Sequence, residues 1–262
     1  MKFLVTMISV FSLVACAVSP TGRKQVLLFS GDQMADMGVT AYQSMKQQQP
    51  AVEDASTSQY VSCITNRLLQ HIPQDMQQKT WEVTVFKDDT PNAFALPGGK
   101  IGVHTGMLEI ADTSGKLAAV IGHEIGHVWA NHGNERMSQS SLAQTGLQVA
   151  AILSGEPSAE KQLALGALGI ATQGVVLKYS RKHEKEADAL GLEMMAKAGF
   201  DPAEAVELWR SMAAKGGANV PEFMSTHPSE QTRINKLSAQ LPAVIPFYQQ
   251  VRNDGRAPVC RR

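Results

Sequence analysis

His123, Glu124 and His127 lie in the run His123-Glu124-Ile125-Gly126-His127, inside an otherwise aliphatic stretch from Leu117 to Ala130. Residues four apart on a helix differ by only about 40° around the axis, so both imidazoles project from one face. That geometry suits two nitrogen ligands on one zinc ion, with Glu124 beside them to take a proton from bound water. Zinc needs a third protein ligand, and a catalytic site leaves the fourth position for water. The segment Glu184-Lys185-Glu186-Ala187-Asp188 offers carboxylates at i and i+4, Glu184 and Asp188, on one helical face. Glu186 lies about 200° round from Glu184 and cannot serve that face. A carboxylate one turn beyond a carboxylate ligand can accept from the free ring nitrogen of a ligating histidine and fix its tautomer. On spacing alone, two satisfied core histidines and a solvated charged helix face fit the same residues.

The elements that must carry these groups are readable in outline. Apolar spacing is helical from Asp32 to Gln49 and from Ala55 to Ile72, with Pro50 and Pro73 as breaks. Thr80 to Lys87 alternates as a strand. In Asn92 to Val103, Pro97-Gly98-Gly99 makes a tight turn between two short strands. Its small residues would let an extended peptide add as a further strand, which makes Asn92, Ala93, Phe94, Gly102 and Val103 candidate substrate-binding residues; a plain hairpin is the alternative. Thr113 or Ser114 is the N-cap expected for the histidine helix, which is read as running on past Asn131. Ser140 to Lys178 is read as a helical hairpin near the site, Tyr179 to Lys197 as a helix, Pro202 as opening another, and Arg233 to Leu241 as the last.

Four segments in order carry a family resemblance: NAFALPGGKIGVHTGML, HEIGHVWANHGNERMS, YSRKHEKEADALG and STHPSEQTRI. Together, over about Trp81 to Leu237, the chain resembles the HtpX-like and CAAX-prenyl-protease-type zinc metallopeptidases, peptidase family M48, and within them a short periplasmic lipoprotein branch. The resemblance implies one zinc ion held by His123, His127 and Glu184, Glu124 as general base and then acid, and Asp188 orienting a ligand. With Glu as third ligand it is a gluzincin. The implied fold is α+β, a mainly helical core with a small sheet whose edge strand borders the cleft. His227, in Thr226-His227-Pro228-Ser229, is the candidate oxyanion stabiliser or fourth ligand, with Arg233 positioning it or sharing the task; a surface histidine before a turn proline is the alternative. His132, five residues after His127 and about 140° away on the helix, is expected not to join the same metal. His183 is expected to point elsewhere and His71 to be on the surface; His104 ends the suggested edge strand, with lining the cleft only the lesser alternative.

The N-terminus adds a compartment. Lys2 followed by the apolar run Phe3 to Ala15 has the form of a secretory signal, too short for a bilayer span of about 20 residues. Leu13-Val14-Ala15-Cys16 resembles a bacterial lipobox, which implies acylation of Cys16, and Ala17 leans toward the outer membrane. The expected organisation is a signal peptide at 1–15, a lipidated tether at 16–30 and one metallopeptidase domain at 31–262. In an oxidising compartment Cys63 and Cys260 are available as a disulfide; free thiols are the alternative. Expected partners are misfolded envelope proteins as substrates, the lipid bilayer through Cys16, and outer-membrane assembly proteins. Lys plus Arg and Asp plus Glu both count 24 in 262 residues, which gives no electrostatic case for nucleic acid.

Overall fold

The computed structural model describes residues 16–154, 179–215, 223, 227 and 231–262. The expected leader at 1–15 and the later part of the expected hairpin, 155–178, lie outside the described residues. The chain enters as an antiparallel hairpin, β1 (Cys16–Val18) and β2 (Lys24–Val26). This corrects the expectation of a tether over 16–30. Ser19 and Gln25 are buried, and Gln25 donates to the Ala130 carbonyl at 2.6 Å, so the hairpin is docked on the body of the protein.

Helix α1 (Gly31–Gln48) begins with a capping box between Ser30 and Gln33, and α2 (Ala55–Leu69) with the Asp54 carboxylate accepting from the Ser56 and Thr57 amides. After the short α3 (Gln74–Gln77), strands β3 (Glu82–Phe86), β4 (Ala93–Leu96) and β5 (Lys100–His104) form a sheet in the order β3-β5-β4. β3 runs parallel to β5, and β4 returns antiparallel to it through Pro97-Gly98-Gly99. Both glycines there hold positive φ, 83° and 75°, which a side chain would resist.

The strand order makes β4 the edge and β5 the centre. Gly102 and Val103 were expected on the substrate-facing edge. They lie on β5, paired on both sides, and cannot receive another strand. Gly102 is small for a different reason: the Phe94 ring lies across it, 2.2 Å from where a Cβ would stand.

Helix α4 (Thr105–Ile110) leads to α5 (Ser114–Trp129), whose N-cap is Thr113, accepting from the Lys116 amide at 3.1 Å. From Gly115 to His127 almost every residue of α5 is buried, which accounts for its aliphatic composition. The helix does not run past Asn131 as expected. Asn131 takes φ 54°, a left-handed conformation that asparagine tolerates better than most residues, and α6 (His132–Ser154) starts afresh. Three more helices complete the fold: α7 (Arg181–Lys197), α8 (Ala203–Lys215) and α9 (Gln231–Asn253). α9 extends well beyond the expected Leu241 and carries Pro242 and Pro246 inside it. Burial of Ile234, Leu237 and Val244 in the core favours continuing the helix despite the backbone hydrogen bonds that proline cannot make.

The most extensive contact between two elements is that of α5 with α7. Gly122 and Gly126 of α5 meet Gly191 and Ala187 of α7. A Cβ at Gly191 would stand 2.8 Å from the His123 backbone nitrogen, and one at Gly126 would stand 2.9 Å from the Ala187 carbonyl oxygen. Cys63 and Cys260 are bonded, with Cα atoms 5.7 Å apart, and fasten the C-terminus to α2. Among the described residues no helix is long and apolar enough to cross a membrane.

Gly191→Ala therefore forces two backbones apart. It should destabilise the protein by about 1–3 kcal/mol in urea unfolding, as overpacking does. Gly31→Ala is the control, since nothing lies within 4 Å of its added methyl group. It should be neutral or stabilising, by up to about 1 kcal/mol.

Candidate metal centre

Because α5 and α7 touch backbone to backbone, even short side chains from each reach the other. His123 and His127 from α5, Glu184 from the first turn of α7, and His227 bring ligand atoms within 4.8 Å of one another, all four residues being buried. The Nε2 atoms of His123 and His127 are 3.0 Å apart. Glu184 Oε2 is 3.5 Å from His123 Nε2, and its Oε1 is 3.6 Å from His127 Nε2. His227 Nδ1 lies 3.2 Å from His123 Nε2 and 3.0 Å from Glu184 Oε1. Ligands about 2.0–2.1 Å from a tetrahedral ion stand about 3.3–3.4 Å from each other. The spacing and the donor set, imidazoles with one carboxylate, fit such a divalent ion.

Around these four residues the carboxylates are tightly held. Asp188 Oδ1 is 3.0 Å from His123 Nδ1, a close ionic contact in which the ring N–H is not well aimed at the oxygen. Arg233 donates to both Asp188 oxygens, at 2.8 and 2.6 Å, and its third nitrogen is 2.7 Å from Glu184 Oε2. Its plane lies over the Trp209 ring at 3.8 Å. Arg233 was expected to position His227 or share oxyanion stabilisation; its guanidinium engages two carboxylates, one of which, Glu184, contacts His227. Glu124 is buried beside the cluster, with Oε1 lacking a hydrogen-bond partner among the described residues and 3.5 Å from His227 Nε2. The helix that carries Glu124 packs against β4, and the Ala95 amide is among the groups that act on its carboxylate.

The model of the family described as Peptidase family M48 matches residues 55–241. The chain belongs to that family. Among similar proteins, the mitochondrial metalloendopeptidase OMA1 of Schizosaccharomyces pombe is 39% identical over 71% of this chain and 53% of its own length. OMA1 of Danio rerio is 30% identical over 86% of this chain and 50% of its own. The beta-barrel assembly-enhancing protease of Escherichia coli K12 is 25% identical over 81% and 45%. The chain thus spans about half the length of such curated relatives.

Burial and neighbouring charge set the electrostatics of this M48 site. Burial alone would lower the pKa of His123, but Asp188 and Glu184 outweigh it and raise it to about 9. His127, without a carboxylate partner of that kind, is held well below its ordinary value by burial and the neighbouring imidazoles. Burial pushes Glu124 up, the direction that suits a group which must both take and return a proton. Burial would raise Glu184, yet contacts with His123 and His227 hold it well below the usual carboxylate range.

Several neighbours were missed by reading the sequence. Asn131 swings His132 back, and its Nδ1 stands 2.9 Å from His127 Nδ1. The angle computed on a continuous helix therefore does not apply, although His132 is not among the four clustered donors. Asparagine after a helix-ending Ala130 was the available signal. Tyr179 stacks on His127, with ring centroids 3.7 Å apart, and on His227 at 5.0 Å, while Arg136 covers its other side at 3.6 Å. Glu186 does lie off the Glu184 face, where it meets His132 and Arg23. His183 turns away toward Glu135, and His71 is half-buried. His104 ends β5 and not the edge strand. It is buried against Phe86 and Phe94.

A ligand imidazole must be neutral, so the proton on His123 competes with the metal. Binding of a divalent ion at pH 7.5 should release about one proton per ion, measured by calorimetry in buffers of different ionisation enthalpy. Asp188→Asn should reduce that release and weaken metal affinity by about 10–100-fold.

Proposed function

We propose that this chain is a zinc-dependent endopeptidase of the bacterial cell envelope that cuts misfolded envelope proteins. The observation that carries the reading is the convergence of His123, His127 and Glu184 beside the buried Glu124, next to the open edge of β4. Bound zinc would supply Lewis acidity to polarise the scissile carbonyl and acidify the attacking water. Glu124 takes the proton from that water and returns it to the leaving amine. The substrate backbone pairs with β4 near Asn92, Ala93 and Phe94 as an added strand, which sets its scissile bond beside Glu124.

The envelope location is supported by the apolar leader ending at Cys16 and by the Cys63–Cys260 disulfide, a bond that persists in oxidising compartments. We take Cys16 as acylated and the protein as lipid-anchored in the outer membrane, facing the periplasm. The name of the Escherichia coli relative, a beta-barrel assembly-enhancing protease, supports partners among outer-membrane assembly proteins.

A second reading is favoured by His227. Its Nδ1 lies at ligand spacing from His123 and Glu184, where water or substrate would otherwise bind. The enzyme is then latent, with cleavage gated by withdrawal of His227 and a chaperone-like role when closed.

Glu124→Gln should retain zinc and lose cleavage of an unfolded protein by about 10²–10⁴-fold, the range for removing a general acid–base group. Persistent cleavage in that variant would refute the mechanism. His227→Ala should raise turnover of the same substrate with zinc still bound. A fall in kcat would instead assign His227 to oxyanion stabilisation.

A further inference from the structure

The N-terminal hairpin reaches the metal centre through a run of buried contacts. His127 Nδ1 is 2.9 Å from His132 Nδ1, His132 Nε2 is 3.1 Å from Glu186 Oε2, and Arg23 Nε donates to that same oxygen at 2.9 Å. Thr21 donates to the other Glu186 oxygen at 2.6 Å. Arg23 also grips both oxygens of Glu135, at 2.7 and 2.6 Å. His132, Glu186 and Glu135 are all buried, so the polar atoms along the path take their partners from one another.

In such a path each hydrogen bond dictates the next. An ionised carboxylate only accepts, so His132 presents its N–H to Glu186 from Nε2. A neutral imidazole has a single N–H, which leaves His132 Nδ1 as a lone pair. The facing Nδ1 of His127 must then be the donor. Its Nε2, directed at His123 and Glu184, is left as a bare lone pair, the form a metal requires.

We propose that the β1–β2 hairpin is a positioning element of the metal centre: Arg23 fixes Glu186, Glu186 fixes His132, and His132 sets the tautomer and ring plane of His127. The proposal rests on His127 being a metal ligand. It gives the two ligating imidazoles matching supports. His123 is backed by Asp188 and Arg233, and His127 by His132, Glu186 and Arg23. The two arginines come from opposite ends of the chain.

The test uses the full chain and four variants: Arg23→Ala, Arg23→Lys, His132→Phe and His132→Gln. Zinc affinity is measured by chelator competition, and site geometry by the visible absorption of the cobalt(II)-substituted protein. Arg23→Ala and His132→Phe should weaken zinc binding by about 10–100-fold and shift the cobalt bands. His132→Gln can accept from His127 and donate to Glu186, so it should stay within about threefold of the natural chain and keep its spectrum. Arg23→Lys, with one charge and no fork, should fall between. Thermal melting in chelator checks that each variant folds. Folded Arg23→Ala and His132→Phe proteins that bind zinc like the natural chain would overturn the proposal.

A variant that does not fold is replaced by a measurement on the natural chain. Nitrogen-15 NMR of the imidazoles without metal should find His127 protonated at Nδ1, and protonation at Nε2 would overturn the proposal. If zinc binding is indifferent to His127→Ala, the ligand assignment fails, and the NMR result still judges the relay by itself.

Discussion

Everything at the metal centre depends on two helices touching without side chains between them. Gly122, Gly126, Gly191 and Ala187 bring the α5 and α7 backbones together, and the functional groups lie along that seam. Glutamate and aspartate are short. Only at this separation can Glu184 join two imidazoles of the neighbouring helix while Asp188, one turn on, contacts the outer nitrogen of His123. Glycine inside a helix is unfavourable by about 1 kcal/mol relative to alanine. The α5–α7 seam carries three of them, offset by the burial of nearly the whole of α5. The local destabilisation is the condition for the site.

Most of the buried carboxylates at the centre are paired with arginine, Glu124 being the exception among the described residues. Isolated burial of a carboxylate is costly, and here Glu184, Asp188, Glu186 and Glu135 each meet an arginine. Arg23 lies in a short N-terminal segment and Arg233 in a C-terminal helix, so these carboxylates are all paired only when both ends of the chain have folded onto the middle. That coupling links the folding of distant segments to the readiness of the metal site.

What could be read from the sequence was whatever local periodicity controls. The i, i+4 pairs, the Thr113 cap and the Pro97-Gly98-Gly99 turn are short-range features, and each is found as expected. The position of β4 as edge was half legible. The turn gave the hairpin, but only the parallel pairing with β3 decides that Gly102 and Val103 are central. His132 stays outside the clustered donors as expected, but its contact with His127 was not legible because one backbone angle at Asn131 changes the direction of the chain. The 16–30 segment reads as linker by composition, since its anchors, Gln25 and Arg23, bind residues more than a hundred positions away. The two prolines of α9 obscured a helix that tertiary packing maintains.

The bond between Cys63 and Cys260 makes one closed covalent loop of almost the entire domain, with a separation of 197 residues. A single backbone cut anywhere inside that loop opens the ring without releasing a fragment. Both pieces stay tethered, and the edges of a nick are kept at high effective concentration for re-docking. The metal ligands from His123 to His227 all lie inside the loop, while Arg23 lies outside it. Under the proposed endopeptidase activity, self-cleavage inside the loop leaves the core in one covalent piece, whereas the residues ahead of Cys63, among them the N-terminal hairpin and α1, can be severed from it.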